Sequence, residues 1–331
     1  MPANIVELAA TDPDPELHAE AGVALIPISD RRLHQPDRSL LLVENGRLLA
    51  RLSCWWTATP ELDGRPIGAI GHYAASDAAS GGQLLDAVCV LLREHGRHLA
   101  VGPMDGNTWR RYRFIVERGT EPPFALEPDN HDEWPAHWTG AGFTTVATYA
   151  SALNETPGAP DRRTDEALAR LADAGITIAP IDLSHVDTTL ERIYELSLRA
   201  FSDNFLYTPI GRAEFMAQYR AVLPHVRPEL MLLAERSGEL VGYMFALPDL
   251  LQRMRGVPVD TVILKTLAVD ESARGFGLGG ALLDLAQRGG HALGYTRAIH
   301  ALFHEANVSG RISGRYAGPI RKYALFSRSL T

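Results

Sequence analysis

Residues 264–288 read LKTLAVDESARGFGLGGALLDLAQR, and the rest of the chain is best interpreted around this stretch. An apolar run that predicts a strand is followed by a glycine-rich loop at 274–280 and then by a helical pattern. Because glycine has no Cβ, successive backbone N–H groups of such a loop can turn towards one anion. The start of the next helix adds unpaired N–H groups and a positive dipole end. The stretch therefore predicts a phosphate-binding loop.

Two other kinds of glycine-rich phosphate loop fit poorly. A Walker A loop carries Lys and then Ser or Thr after its last glycine, but Ala281 and Leu282 follow Gly280. A dinucleotide-binding fold has its glycines directly after a strand and an acidic residue about 20 positions later. Here residues 270–274 separate the strand from the first glycine, and His300 stands at the acidic position. The sequence argues against both alternatives.

The spacing Arg274-x-x-Gly277-x-Gly279 resembles the acetyl-coenzyme A loop of the GCN5-related N-acetyltransferase (GNAT) family. The resemblance extends upstream to a hairpin with an acidic turn at 230–247 and downstream to a strand at 297–305. It implies that acetyl-coenzyme A is the acyl donor and that the strand before the loop binds the pantetheine amides through its backbone. The cofactor-binding residues implied are Leu267, Ala268, Val269, Arg274, Gly275, Phe276, Gly277, Leu278, Gly279, Gly280 and Asn307.

Composition places the chain among ordinary soluble globular proteins. Its 331 residues are natural for two domains, with 46% hydrophobic residues, 22% charged residues and a mean hydropathy of −0.08. The net charge of −8 gives no basic field for nucleic acid. No stretch has the pattern of a signal peptide or the roughly 18 apolar residues of a membrane span. We therefore expect a cytoplasmic protein that binds neither nucleic acid nor membrane.

The two cysteines predict neither a disulfide nor a metal site. Cys54 and Cys89 lie inside apolar runs, and their spacing matches neither a metal motif nor a redox motif. We expect both to be reduced core residues. We also expect no metal in the protein.

The first half of the chain begins with a polar stretch at 1–22, for which we predict a loose lead-in with one short helical turn. A hairpin is predicted at Asn45-Gly46, the dipeptide that best tolerates a type I′ turn. A long stretch at 103–138, rich in Pro, Trp, Arg and acidic residues, predicts an irregular segment. Segments of that length are usually functional or form an interface.

The second half of the sequence repeats the first. LLVENGRLLA at 41–50 parallels LLAERSGELVG at 232–242, and GGQLLD at 81–86 parallels GGALLD at 279–284. Between strand and helix the first copy is shorter by the length of the phosphate loop. We predict an α/β protein of two tandem GNAT-like copies, each a mixed, mostly antiparallel sheet flanked by helices. Residues 1–155 form a degenerate copy without the loop, and residues 164–331, after a Pro- and Gly-containing linker, form the copy that binds acetyl-coenzyme A.

This tandem arrangement resembles a bacterial branch of the family whose substrate is unassigned. The phrases VGPM at 101–104, EPPF at 121–124 and ALPD at 246–249 carry that resemblance. In the family the segment between the first two helices lines the acceptor pocket. The implied substrate-binding residues of this chain are Asp203, Asn204, Phe205 and Tyr207, which could equally cap helices and pack the loop.

Acyl transfer needs a base for the acceptor amine and an acid for the departing thiolate. Glu305 and His304 stand at the end of the strand after the glycine helix, where the thioester should emerge, and are the candidate bases. The family commonly places a Tyr acid seven residues after the Asn that here is Asn307, but position 314 is Gly. The nearest tyrosines, Tyr316 and Tyr323, are the candidate acids. Serine or water are alternatives.

Two functions are therefore considered. The first is an acetyl-coenzyme A-dependent N-acetyltransferase that acts, as a monomer or homodimer, on an amine of a small molecule or peptide. The second is a non-catalytic protein that binds coenzyme A or a partner through the tandem fold. The missing tyrosine favours the second, and the phosphate loop fits both.

Overall fold

The computed structural model describes residues 3–19 and 22–331. Its main feature is one sheet of fourteen strands. The first half contains β1 (Asn4–Leu8), β2 (His18–Ala19), α1 (Ile28–His34), β3 (Arg38–Glu44), β4 (Arg47–Trp55), a small hairpin of β5 (Glu61–Leu62) and β6 (Arg65–Pro66), β7 (Gly68–Ala75), α2 (Ala78–Glu94), β8 (Leu99–Gly102), β9 (Phe114–Glu117), α3 (Trp134–Gly140) and β10 (Thr144–Asn154). The second half contains α4 (Arg162–Asp173), β11 (Ile176–Pro180), α5 (Val186–Ala200), α6 (Arg212–Val222), β12 (Met231–Arg236), β13 (Glu239–Pro248), α7 (Leu250–Met254), β14 (Thr261–Val269), α8 (Leu278–Ala292), β15 (Arg297–His304), α9 (Val308–Ser313) and β16 (Gly318–Ser329).

The strand order is symmetric about the centre of the sheet. It runs β1-β3-β4-β7-β8-β16-β10-β15-β14-β13-β12-β11. Each half has one parallel pair with a helix between its strands, β7 with β8 around α2 and β14 with β15 around α8, and the other neighbours along this path are antiparallel. The chain therefore contains two copies of one mixed, mostly antiparallel α/β unit flanked by helices, which confirms the predicted fold class.

The two copies exchange their last strands. β10 comes from the first half of the sequence but pairs with β15 of the second copy. β16, the last strand of the chain, pairs with β8 of the first copy, and β10 and β16 pair with each other at the centre of the sheet. Each copy thus completes its sheet with a strand of the other.

Local sequence explains why the predicted hairpin forms. Asn45 and Gly46 have φ values of 49° and 75°, the positive values that a type I′ turn requires at both central residues. β3 and β4 pair on either side of this turn. The equivalent hairpin of the second copy, β12 with β13, turns through Ser237 and Gly238, whose φ values of 53° and 84° are also positive.

The predicted lead-in at 1–22 is wrong where the structure describes it. Residues 4–8 form β1, an edge strand antiparallel to β3, and no helical turn is described before α1 begins at Ile28. The strand is hard to predict because its apolar residues form only a short run in a polar stretch, although Leu8 is buried in the core and Ile5 and Val6 pack against it. Met1, Pro2, Glu20 and Ala21, which also belong to that stretch, lie outside the described residues.

The segment at 103–138 contains β9 and the start of α3, and it reaches the second copy. Glu127 accepts a hydrogen bond from Arg321 of β16 at 2.6 Å, with both side chains 1% exposed or less. The backbone N–H of Ala125 donates to Asp249 at the start of α7 at 2.9 Å. These contacts agree with an interface role for the segment.

Cys54 and Cys89 are both buried and unpaired, as predicted for core residues. Burial is the main cause that raises the pKa of the Cys89 thiol to about 11, so this cysteine is a neutral thiol at pH 7. Among the helices of the described residues, none has the length and apolar character needed to cross a bilayer.

The buried Arg321–Glu127 pair should contribute strongly to stability. Replacing Arg321 with Met leaves a buried carboxylate without its cation, so Arg321→Met should lower the free energy of unfolding by about 3–5 kcal/mol. Adding Glu127→Leu to that variant should recover part of the loss, with a coupling energy of about 0.5–3 kcal/mol in a double-mutant cycle measured by urea unfolding. Strictly additive losses would show that the two side chains are independent.

Candidate functional site

A cleft opens where β14 and β15 separate. The two parallel strands pair only as far as Leu264 with His300. Beyond that point β14 continues to Val269 paired with β13, and β15 continues to His304 paired with β10. The facing edges of the two strands therefore have free backbone groups. Because the Asp270 N–H donates to Val241 of β13, the alternate residues Leu267 and Val269 direct their backbone groups to the open edge.

Both strands are irregular at the place where they part. The pairing of β14 with β13 passes from Leu264 to Thr266, so that Lys265 is a bulged residue. On the opposite side Leu302 has a φ of 61°, next to a break in the pairing of β15 with β10. A bulge re-aims the side chains around it, and here it turns Lys265 away from regular alternation.

The predicted phosphate loop forms at one end of this cleft. Gly275 and Gly277 have φ values of 88° and 86°, which L side chains rarely adopt. Gly277 is the N-cap of α8 and offers no side chain to the helix. In the described structure the N–H groups of 275–277 donate to no backbone carbonyl, and those of 278–280 are the free N–H groups of a first helical turn. An anion could accept from several of them.

The described residues at the corresponding place in the first copy differ from this loop. Only Ser76 and Asp77 separate β7 from α2, whereas residues 270–277 separate β14 from α8. The Asp77 carboxylate caps α2 by accepting from the Ser80 N–H at 2.8 Å. This hydrogen bond is the main cause that lowers the pKa of Asp77, so the helix end already holds a negative charge and would repel an anion.

Arginine side chains lie beside the loop of the second copy. The Nη2 atom of Arg170, in α4, is 3.4 Å from the position that a Cβ on Gly277 would take, and Nη1 of Arg315 is 3.6 Å from the same position on Gly280. In the described part of the chain neither has a carboxylate partner, and Arg274 in the loop itself is exposed. Sequence patterns do not identify Arg170 and Arg315 as candidate site residues, because neither belongs to a motif.

The remaining cofactor candidates surround the same end of the cleft. Leu278 is buried and Phe276 partly buried against the core below α8. Asn307 is exposed at the N-cap of α9 and makes no capping hydrogen bond. Ile312 of α9 lies 3.5 Å from the Cβ position of Gly279, close to Leu267 and Val269. Helix α9 and strand β14 thus flank the start of α8.

Lys265 lies at the other end, where the strands part. Its Nζ atom donates to the carbonyl of Leu126 at 3.2 Å. Leu126 belongs to the 103–138 segment of the first half, which contacts the second copy. Burial, and then the nearby Arg113 guanidinium, lower its pKa to about 7, against the opposing effect of Glu127. About half of the molecules would then carry a neutral amine at pH 7. The sequence does contain a signal that marks Lys265 as a candidate site residue. Lys265 is the one charged residue in 261–269 and one of two lysines in the chain.

The predicted base His304 faces Lys265's strand from β15. Its ring lies 4.8 Å from that of Tyr149 and 6.1 Å from that of Phe205, a predicted substrate residue. Burial and Arg113 lower its pKa, so it is neutral at pH 7. Nδ1 accepts the N–H of Ala306 at 3.1 Å, which leaves the proton of the neutral ring on Nε2. In this tautomer Nε2 is a donor and not a base.

The predicted acid Tyr323 is fully buried in the wall below the cleft. Its hydroxyl is hydrogen-bonded to Ser151 at 3.0 Å and to Glu127. Burial, with the Glu127 charge as the next cause, raises its pKa far above the usual value. Ser151 also accepts the N–H of Leu302 in β15 at 3.3 Å. These contacts favour a structural role, in which Tyr323 supports β15 at the point where the cleft opens.

The other predicted residues are more scattered. Tyr316 packs on the α8 side and donates to Asp161 at the start of α4 at 2.6 Å, with a pKa raised by burial to about 12. Tyr207 donates to the carbonyl of Leu198 at 3.2 Å. Asp203, Asn204 and Glu305 are exposed. Among the described residues, the structure brings the rings of Phe205 and His304 into contact, and the backbone carbonyl of Asn204 accepts the N–H of Tyr207 at 3.0 Å.

Comparison with known proteins agrees with this geometry. Residues 190–309 match the model of the acetyltransferase (GNAT) family. A bacterial ceramide synthase from Caulobacter vibrioides (strain NA1000 / CB15N) is 28% identical over 225 residues, which are 65% of this chain and 57% of that protein. The match thus spans little more than half the length of this curated relative.

Solved structures resemble the whole chain. A tandem GNAT protein from the clavulanic acid biosynthesis pathway matches all of this chain and 99% of its own, with a TM-score of 0.52 and 15% identity. A probable N-acyltransferase from Enterococcus faecalis V583 matches all of this chain and 73% of its own, with a TM-score of 0.53 and 11% identity. At these identities the likeness concerns the fold, and it supports the tandem arrangement.

Gly279 allows a charge test of the loop. Its Cβ position has ordinary contacts of 3.5–3.7 Å, whereas a Cβ on Gly277 would meet Ala167 at 3.0 Å in a strained backbone. Gly279→Glu puts a carboxylate in the first turn of α8, where it favours the helix but repels an incoming anion. We expect Gly279→Glu to bind coenzyme A at least about 10-fold more weakly than Gly279→Gln, which has the same size, by calorimetry at low salt. Equal affinities in two folded variants would show that the anion binds elsewhere.

Proposed function

We propose that the protein is an N-acetyltransferase that moves an acetyl group from acetyl-coenzyme A to an amine of a small molecule or peptide, because residues 190–309 match the model of the acetyltransferase (GNAT) family. The observation that carries the proposal is the cleft itself. A helix end without a side-chain cap lies at one end of it, and Lys265 lies where its strands part. The proposal includes a cytoplasmic location, a monomeric or homodimeric state, and no partner of nucleic acid or membrane.

Coenzyme A is assigned to the second copy, residues 164–331, and not to residues 1–155. Its pyrophosphate would accept from the N–H groups of the loop, and Arg170, Arg274 and Arg315 would offset its negative charge. The pantetheine arm would lie along the free edge of β14 at 267–269. The thioester would then reach the place where Lys265 and His304 face the cleft from its two strands.

The chemistry at that end needs one proton to be moved. The amine nitrogen attacks the thioester carbonyl, the C–N bond forms, the C–S bond breaks, and the nitrogen loses a proton while the thiolate gains one. A neutral Lys265 can take the proton from the amine and return it to the thiolate, so that no separate acid is required. Lys265 therefore joins Glu305, His304, Tyr316 and Tyr323 as a catalytic candidate, and we propose it as the base. Phe205 would bound the acceptor beside His304, with Asp203, Asn204 and Tyr207 in the same segment.

The length of the acyl group is the finer part of the proposal. The similarity to a bacterial ceramide synthase favours a second candidate, transfer of a long acyl chain to a long-chain amine. Both candidates use the same loop and the same base. They differ only in what fills the cleft beyond the sulfur.

Release of free thiol tests the proposal directly. Acetyl-coenzyme A and a long-chain acyl-coenzyme A would each be offered with a polyamine, a peptide with a free N-terminus and a long-chain amino alcohol. We expect amine-dependent thiol release with acetyl-coenzyme A, and release confined to the long-chain donor would instead select the second candidate. Tight binding of coenzyme A without release for any pair would support the alternative of a non-catalytic coenzyme A-binding protein.

Lys265 can be tested against the only other lysine. If Lys265 is the base, kcat/KM should rise with pH as its ammonium group loses a proton, with a midpoint near the pKa of about 7. Lys265→Met should lower turnover by about 10²-fold and abolish that rise, with little change in coenzyme A affinity. Lys322→Met is the control, because Lys322 is exposed and paired with Glu117. An unchanged pH profile in Lys265→Met would exclude Lys265 as the base.

A further inference from the structure

The first copy has its own cluster of chemically active side chains at the place that corresponds to Lys265. His72 in β7 follows the last residue pair of β7 with β8, Ala69 with Val101, and it has a φ of 51°. His72 and Lys265 are 193 positions apart in the sequence. The same spacing separates Asp77 from Asp270, which follow strands β7 and β14. Asp105 follows β8, and His34 ends α1. The three side chains meet in the cleft of the copy that has no phosphate loop.

The ligand atoms of this cluster converge. Nδ1 of His34 and Nε2 of His72 are hydrogen-bonded to each other at 2.8 Å, and Oδ2 of Asp105 is 3.8 Å from the same Nε2. All three atoms lie within 4.8 Å of one another. The carboxylate distance is too long for a hydrogen bond, so Oδ2 faces an imidazole nitrogen across a gap.

Neighbouring groups hold each of the three side chains in place. Nδ1 of His72 is hydrogen-bonded to the Ser53 hydroxyl at 3.0 Å, which leaves Nε2 to face the cluster. The other oxygen of Asp105, Oδ1, accepts the backbone N–H of His72 at 2.6 Å. The backbone carbonyl of His34 accepts from Trp55 and Arg110, each at 2.9 Å. Such outer partners are what orients the ligands of metal sites.

The charges fit a cation. Asp105 is buried, and desolvation raises the pKa of its carboxyl group, an effect that a bound cation would oppose. A neutral imidazole offers one nitrogen lone pair, so a bound cation would replace the hydrogen bond between His34 and His72, with the proton of each ring on its other nitrogen. Arg110 pairs with Glu214 at 2.7 Å and donates to the backbone carbonyls of His34 and Asp105, and Arg51 donates to the carbonyls of Ala24 and His72. In the described structure their guanidinium groups are therefore bound to acceptors other than the Asp105 carboxylate.

We propose that His34, His72 and Asp105 bind one zinc ion in the cleft of the first copy, with water in the fourth position. Two imidazoles and one carboxylate are a ligand set that zinc accepts, and three protein ligands leave an open position. Tetrahedral zinc holds its nitrogen ligands about 3.3 Å apart, so the two rings must separate and the carboxylate must approach by about 0.5 Å each. The ion would join α1 to the open ends of β7 and β8.

This site was hidden from sequence analysis because its ligands are 38 and 33 residues apart and match no metal motif. It also gives the first copy a role that does not depend on coenzyme A. Where the second copy has a lysine at its strand bulge, the first has an imidazole that can be a ligand. The inference is independent of the proposed transferase activity.

Zinc binding can be measured on the full chain prepared without a histidine tag. After treatment with a chelator, the protein should bind one equivalent of Zn²⁺ in a chelator-competition titration, and it should gain thermal stability. X-ray absorption at the zinc edge should show nitrogen and oxygen ligands with two imidazoles and no sulfur. A stoichiometry of zero, or sulfur in the coordination shell, would overturn the proposal.

Asp105→Asn is the first variant, since an amide oxygen can still accept the His72 N–H while the charge is lost. It should weaken Zn²⁺ binding by at least about 100-fold, beyond the 10–100-fold effect typical of partners outside the ligand shell. His34→Gln at the more accessible edge of the cluster serves the same purpose if Asp105→Asn does not fold. His98→Gln, an exposed histidine of the same copy, is the matched control and should leave binding unchanged. Equal affinity in the folded ligand variants and the control would contradict the site.

Discussion

The structure depends on one constraint of backbone pairing, which is that a strand leaving a parallel pair must find hydrogen-bond partners on its other side. β15 parts from β14 after His300, and β10 then holds it as far as His304. β8 has the same need in the first copy and is paired by β16. Because each supporting strand comes from the opposite copy, the cleft of one copy requires the fold of the other. The buried Arg321–Glu127 pair and the Glu127–Tyr323 contact strengthen this support from below.

Identical topology has led to different chemistry at the two clefts. In the second copy eight residues separate strand and helix, and α8 begins with a glycine that leaves its N–H groups free. In the first copy α2 begins after two residues and is capped by the Asp77 carboxylate. An anionic donor is therefore favoured at one helix end and opposed at the other. The two copies also differ in the side chain at the strand bulge, which is Lys265 in the second copy and His72 in the first.

Much of the fold could be predicted from the sequence, because its elements have strong local signals. Asn45-Gly46 specifies its turn, and the glycine spacing identifies the loop before α8. The edge strand β1 has a weaker signal, since its apolar residues Ile5, Val6 and Leu8 form a short run inside a polar stretch. The exchange of β10 and β16 also has no local signal, because either strand would suit either copy by composition.

The site was predictable only in part, for the same reason. Residues 267–280 are contiguous and carry a motif, whereas Arg170, Arg113 and Glu127 approach the cleft from segments far away in the chain. Lys265 could have been noticed as the only charge in an apolar strand, but its lowered pKa depends on burial and on Arg113. Tyr323 is the opposite case. Its residue type suits the chemistry, but its hydroxyl is already hydrogen-bonded to Ser151 and Glu127.

The central claim is that two copies of one fold divide their roles, with the acyl donor bound by the second copy alone. Calorimetric titration of the full chain with coenzyme A measures this most directly, because it counts sites without requiring the acceptor to be known. The difference between the Gly277 and Asp77 helix ends predicts one site per chain. Two equivalent sites per chain would contradict the account.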